Sequence, residues 1–347
     1  MPNDLNSKLR RFPLVTAFVG CYNHSRFVEE CLDSVRQQTY PNLQVIIFDD
    51  CSTDDSLSVI DNWLKKHRLD WQFIRHNRNV GICVSLNEAL RLARGKYISV
   101  VAADDLWLPD KTIRQVEMIE QMPKDVGVVY SDAFQISENG EMLPQMFIEA
   151  HREFVVPPEG FLFDLLWEGS FIPAMATLIR RECFTKVGNY DEELCFEDWD
   201  IWMRISRRFR FVYDTVPAAK YRIVPTSAAR RMSEAMYRSN ELLRLKYFSR
   251  GWLNAQQGTS VAFLTPDEIV WRLYQAGSHI PLRCKFTLLK QDFSAKTICL
   301  IICETCGLSI AKFQQVLAFG VALKRKILRH DPNPDCRVLK FKCGRIR

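Results

Sequence analysis

The sequence predicts an α/β fold: a mostly parallel central sheet flanked by helices, followed by a helical C-terminal region. Three observations carry this expectation. In the first half, apolar runs of strand length alternate with helical patterns of about 10–15 residues. Three of those strands run into polar clusters, Cys21-Tyr22-Asn23, Asp49-Asp50 and Asp104-Asp105. Beyond about residue 235 only helical periodicity remains, with no strand runs.

The elements follow in order. Leu14–Val19 is a short apolar run suited to a buried strand, and Phe27–Gln38 places Val28, Cys31, Leu32 and Val35 at helical spacing. Leu43–Phe48 is rich in β-branched residues and ends at Asp49 and Asp50. Asp54–Lys66 sets Leu57, Ile60 and Leu64 on one helical face. Trp71–Arg75 reads as a strand, Val84–Ala93 as a helix closed by Gly95, and Tyr97–Ala102 as a third apolar strand. Lys111–Gln121 is a helix and Gly127–Ser131 a strand. The pattern weakens from Gly140 to Gly169, then resumes with a strand at Ala174–Arg180 and a helix around Asp198–Arg207. Open α/β sheets bind ligands outside the carboxyl ends of their strands, so the three polar clusters point to one pocket. The boundary falls near residue 235, giving domains 1–235 and 236–347.

Composition bounds the rest. The chain has 347 residues, 47% hydrophobic and 25% charged, which excludes disorder, collagen and coiled coil as descriptions of the whole. Its net charge of +6 is unevenly held: nine basic and two acidic side chains in 321–347 give +7, which leaves 1–320 at −1. Such a body does not suit nucleic acid. The 12 cysteines lie mostly in apolar stretches and read as reduced, buried thiols of a cytoplasmic protein. MPNDLNSKLRRFP lacks the apolar segment of a secretory signal. The most apolar late stretch, 297–323, is broken by Glu304 and Lys312, and its longest uncharged piece, Phe313–Leu323, has 11 residues, too short to span a bilayer.

Three ordered blocks carry a resemblance. PLVTAFVGCYNHSRFVEECLDSVRQQTYPNLQVIIFDDCSTDDS (13–56), NVGICVSLNEALRLARGKYISVVAADD (79–105) and VGNYDEELCFEDWDIWMRIS (187–206) resemble family 2 glycosyltransferases, nucleotide-sugar enzymes of the GT-A fold. The resemblance covers roughly 12–226. It implies a metal-dependent, inverting transfer of a single sugar from a nucleotide-diphosphate donor, UDP-type favoured. The acceptor would be a hydroxyl on a saccharide or lipid-linked glycan, in cell-surface polysaccharide synthesis. Residue by residue, it implies that Tyr22 stacks on the base and Asp50 accepts a base N–H. Asn87 lies on the donor side, Asp104 faces the ribose, and Asp105 coordinates Mn²⁺ or Mg²⁺. Asp198 becomes the general base and Glu197 an acceptor-orienting residue. Asp198 and Glu197 also suit the N-terminus of a helix, where acids favour the macrodipole.

Two positions depart from the family pattern. The further acid often found two residues before Asp104 is replaced by Ala102, and Val224 stands near a usual histidine. Arg222, Arg230 and Arg231 are the cations that could neutralise the diphosphate instead. These departures support the alternative, a catalytically silent subunit of the same fold that binds a glycan or a partner enzyme. Cys299, Cys303 and Cys306 have cluster-like spacing, yet they share one face of an apolar helix and read as packing. No G-x-G-x-x-G follows the first strand, and no H-x3-H pair exists. The helical region with Lys324-Arg325-Lys326 suits peripheral contact with the inner face of the cytoplasmic membrane. It equally suits a packed or homodimerising appendage.

Overall fold

The structure, a computed structural model, describes residues 12–224 and 234–249. Contacts divide the chain into two compact units, Met1–Asn240 and Glu241–Arg347. The first is built on a nine-stranded sheet: β1 (Val15–Cys21), β2 (Leu43–Asp49), β3 (Gln72–Arg75), β4 (Tyr97–Ala102), β5 (Leu106–Trp107), β6 (Val126–Ser137), β7 (Met142–Met146), β8 (Thr177–Arg180) and β9 (Arg210–Ile223). The order is β3-β2-β1-β4-β8-β6-β9-β5, with β7 paired to β6. This mixed sheet, flanked by helices, is the GT-A arrangement.

The parallel portion is β3-β2-β1-β4. Its central strand explains itself: Val15, Thr16, Ala17, Phe18 and Val19 are all fully buried, as a strand covered on both faces requires. The connections are helical: α1 (Val28–Arg36), α2 (Ser56–His67) and α3 (Ile82–Leu92). In α1 the residues at helical spacing, Val28, Cys31, Leu32 and Val35, are the buried ones. They pack with Ala17, Val19, Ile60 and Trp63 in one core cluster. Each large aliphatic side chain so buried contributes about 1.5–3 kcal/mol.

Beyond β4 the sheet changes direction. β8 runs antiparallel to both β4 and β6, β9 runs parallel to β6, and β5 runs antiparallel to β9. The helices here are α4 (Lys111–Gln121), α5 (Phe147–His151), α6 (Phe163–Trp167), α7 (Glu182–Val187) and α8 (Asp198–Ser206). Lys111, wholly buried, joins β4 to β8 by donating to Ser99 Oγ, Thr177 O and Gln115 Oε1 at 2.7–3.0 Å. Burial holds its ammonium well below the usual lysine range. The helix α9 (Glu234–Ser249) follows, and its Ser239 Oγ accepts the Cys195 N–H at 2.9 Å. Among the described residues no helix is long and apolar enough to cross a membrane. Arg230, Arg231, the Cys299–Cys306 stretch and the basic tail lie outside the described residues.

Candidate active site

The sheet register brings the predicted clusters together. Cys21 pairs with Asp49 and Gly20 with Ala102, so β1, β2 and β4 end side by side. Two bonds extend this edge: Asp50 N to Cys21 O at 3.0 Å and Ala103 N to Gly20 O at 2.8 Å.

Local hydrogen bonds shape the loop after β1. Asn23 adopts a left-handed conformation (φ 58°), which asparagine tolerates. Its backbone N–H donates to Ser52 Oγ, and its Oδ1 accepts from Thr53 N at 2.7 Å. Ser52 in turn donates to Asp49 through N and Oγ. Asp54 accepts from Ser25 N and Ser56 N; burial opposes its ionisation, but these bonds and the Ser56 hydroxyl hold it at about 2. With Asp49 and Asp54 employed in this way, Tyr22 is left standing outward, 44% exposed, at the pocket edge.

Asp50 is buried and partly occupied. Its Oδ1 accepts from Val80 N at 2.8 Å and its Oδ2 from Gly81 N at 2.8 Å. Gly81 presents that N–H from φ +90°, a backbone shape that favours glycine. Asn87 has a different place from the expected one. Its Nδ2 donates to Tyr190 O and Glu192 Oε1, and its Oδ1 accepts from Tyr190 N at 3.0 Å. Both amide hydrogens are used within the protein, so Asn87 clamps the segment before α8 onto α3.

The acidic turn after β4 is braced from behind. β5 pairs Leu106 with Lys220, which sets Arg222 beside Asp105. Arg222 N donates to Asp105 Oδ1 at 2.8 Å and Arg222 Nε to the Asp104 carbonyl at 2.9 Å. The remaining guanidinium nitrogens bond Glu138 O and Glu30 Oε2. Arg222 is 3% exposed, and its Nε, Nη1 and Nη2 each give one hydrogen bond to this brace. Val224 is buried at the end of the described strand. Burial, then the adjacent Asp104 charge, pushes the Asp105 carboxyl well above its ordinary range. Asp104 faces His24, with Nε2 3.6 Å from Oδ2, and His24 Nδ1 is buried without a partner.

The second acidic pair opens α8. Burial, then the charge of Asp198, raises Glu197; burial also raises Asp198. Trp199 N donates to Asp198 Oδ1 at 2.6 Å and the charge of His151 acts on the same carboxylate, both opposing the rise. The structural acid of this helix is Asp200, buried against Arg204 at 2.5 and 2.9 Å. α5 links the two acidic pairs: Phe147 packs edge-on against Tyr221 at 5.0 Å, next to Arg222, and stacks on His151 at 4.0 Å. His24, His76 and His151 were not singled out from sequence. Each lies in a loop or short helix, and its only signal is a polar ring just after a strand or between apolar residues.

A profile of glycosyl transferase family 2 matches residues 16–188, about half of the chain and all three parallel crossovers. The chain belongs to this family. Family 2 relatives include the putative teichuronic acid biosynthesis glycosyltransferase TuaG of Bacillus subtilis, 24% identical over 70% of this chain and 94% of TuaG. An uncharacterized glycosyltransferase of Methanocaldococcus jannaschii is 28% identical over 61% of this chain and 71% of its own length. Chondroitin synthase of Escherichia coli is 34% identical over 40% of this chain, but only 20% of that enzyme. Coverage is also partial, 36%, for an uncharacterized glycosyltransferase of Rickettsia bellii. Among solved structures, S. aureus TarS 1-349, crystallised with UDP-GlcNAc, superposes with a TM-score of 0.54 at 16% identity, over 85% of this chain and 92% of TarS 1-349. That likeness establishes the fold.

Proposed function

We propose that this family 2 protein is an inverting, metal-dependent glycosyltransferase. It moves one sugar from a nucleotide-diphosphate donor, UDP-type favoured, to a hydroxyl of a saccharide or lipid-linked glycan. The observation that carries the reading is the presence of two different acid sites: a buried turn after β4, Asp104-Asp105, and a pair at the start of α8, Glu197-Asp198, with the carboxyls of Asp105, Glu197 and Asp198 all raised.

Each residue has a distinct task. Tyr22 supplies an exposed aromatic face for the base, and Asp50 an acceptor for a base N–H. Asp105 and Asp104 suit a divalent cation. Their carboxyls are crowded and buried, the guanidinium behind them is committed elsewhere, and a cation bridging to phosphates needs few protein ligands. When bound, the cation would supply positive charge to the leaving diphosphate. Asp198 takes the proton as the acceptor O–H bond breaks. The oxygen then bonds to the anomeric carbon as the bond to the diphosphate breaks. A carboxylate held above its ordinary range is a stronger base for this step than an ordinary aspartate. Glu197, with its carboxyl also raised, would donate a hydrogen bond to the acceptor.

The names of TuaG and chondroitin synthase support polysaccharide synthesis as the setting. The deciding experiment is metal-dependent release of UDP from UDP-sugars by the purified chain, with Asp198→Asn alongside. A chain that binds UDP with Mn²⁺ but releases none from any sugar donor, with or without saccharide acceptors, would leave the silent subunit as the better reading.

A further inference from the structure

We propose that His76 is a positioning residue of the nucleotide pocket, one that fixes Asp50 so that a single lone pair stays open to a base. This rests on the reading of Asp50 as the base acceptor. His76 follows β3, and its backbone N–H extends the sheet by donating to Asp49 O at 3.0 Å. Its ring is 9% exposed and spans two carboxylates: Nδ1 lies 3.0 Å from Asp50 Oδ1, and Nε2 3.0 Å from Glu88 Oε2. Ser85 Oγ adds a contact to Nδ1 at 3.4 Å, and Arg91 Nη2 stands 3.8 Å behind Glu88. The ring therefore ties the ends of β2 and β3 to the second turn of α3. In the tautomer with its hydrogen on Nδ1, the ring donates to Asp50.

The acceptor count at Asp50 then becomes restrictive. An ionised carboxylate offers about four lone-pair sites. Val80 N and His76 fill Oδ1, and Gly81 N takes one site on Oδ2. One site on Oδ2 remains without a donor among the described residues. A site of this kind accepts a ring N–H flanked by carbonyls, as at N3 of uracil. It rejects a ring nitrogen that carries no hydrogen. Removing His76 leaves the two backbone bonds but frees the carboxylate to turn, so affinity and base discrimination should fall together. The chemistry at the anomeric carbon should be spared.

The test is calorimetric titration of the full-length chain, with Mn²⁺, against UDP and N3-methyl-UDP. Wild type should prefer UDP. His76→Ala should weaken UDP by about tenfold, the scale of one lost charge-assisted contact, and narrow the preference. Donor KM should rise while kcat stays within about twofold. His76→Asn, which keeps a donor toward Asp50, should recover part of the loss. Glu88→Gln, a half-exposed neutralisation that keeps the imidazole, should shift affinity in the same direction by less. If the alanine variant does not fold, the last two decide. UDP affinity and preference unchanged in these variants, or a fall in kcat with KM unmoved, would overturn the role of His76. A wild type that binds UDP and its N3-methyl analogue equally would instead overturn Asp50 as base acceptor, and His76 with it.

Discussion

Replacing Asn87 with alanine separates two roles for a buried amide. The resemblance places this residue among the donor contacts, whereas the structure uses its three polar contacts to hold Tyr190 and Glu192. Alanine would strip both the N–H and the C=O of Tyr190, a residue 5% exposed. Each orphaned buried group costs about 1–3 kcal/mol. The exposed Glu192 recovers its hydrogen bond from water and adds little. A water entering the vacated space would return part of the loss, so about 2–5 kcal/mol is expected. For a domain of this size each kcal/mol lowers Tm by about 2–4 °C, which predicts a fall of about 5–15 °C. Thermal unfolding followed by tryptophan fluorescence reads this directly. Titration with UDP and Mn²⁺, well below the lowered Tm, should give a Kd within about threefold of wild type. An unchanged Tm with UDP binding lost would refute the clamp and restore Asn87 to the donor contacts.

Four other expectations follow, three from the same site and one from the charge of the tail. Asp198→Asn should retain UDP binding and lose about 10²–10⁴-fold in transfer, the usual scale for a general base; wild-type-like turnover would remove it from that role. Asp105→Ala should abolish the Mn²⁺ dependence of UDP affinity, and titrations that still differ with and without the cation would exclude Asp105 as a ligand. Glu197 is pushed up to about 8 from an ordinary 4.5, so between those values the folded chain holds a proton that the unfolded chain has released. Stability should then decline as pH rises from about 5 to 8, and Glu197→Gln should flatten the decline; an unaltered Tm–pH slope would refute the assignment. Deleting 321–347, which holds +7, should release a membrane-associated protein while sparing donor hydrolysis. Unchanged fractionation with membranes would sink that role for the tail.

The two halves of the catalytic unit were unequally legible in the sequence, for a physical reason. In the parallel half the strands β1 and β2 and most of β4 are buried on both faces and each crossover helix has one apolar stripe, so local periodicity nearly determines the element. Tyr97–Ala102 and Lys111–Gln121 coincide with their expected bounds, and β1, β2, α1 and α3 fall within about two residues of theirs. The mixed half beyond β4 lacks that local code. β9 is the longest strand, yet RFVYDTVPAAKYRI carries Asp214, Pro217 and Lys220, and its pairing with β6 shifts register near Ala133. Its strand character comes from neighbours β6 and β5, far away in sequence.

The site divides along the same line. Cys21–Asn23, Asp49-Asp50 and Asp104-Asp105 could be placed together because parallel strands deliver their C-terminal ends to one edge. What holds each acid in place could not be read, because those partners arrive from distant segments: His76 and Gly81 at Asp50, Arg222 at Asp105, His151 near Asp198. Four hydrogen bonds and 3% exposure make Arg222 the floor beneath the acidic turn. A buried guanidinium fixed in this way lowers the cost of keeping two adjacent carboxyls at a strand end without neutralising either completely.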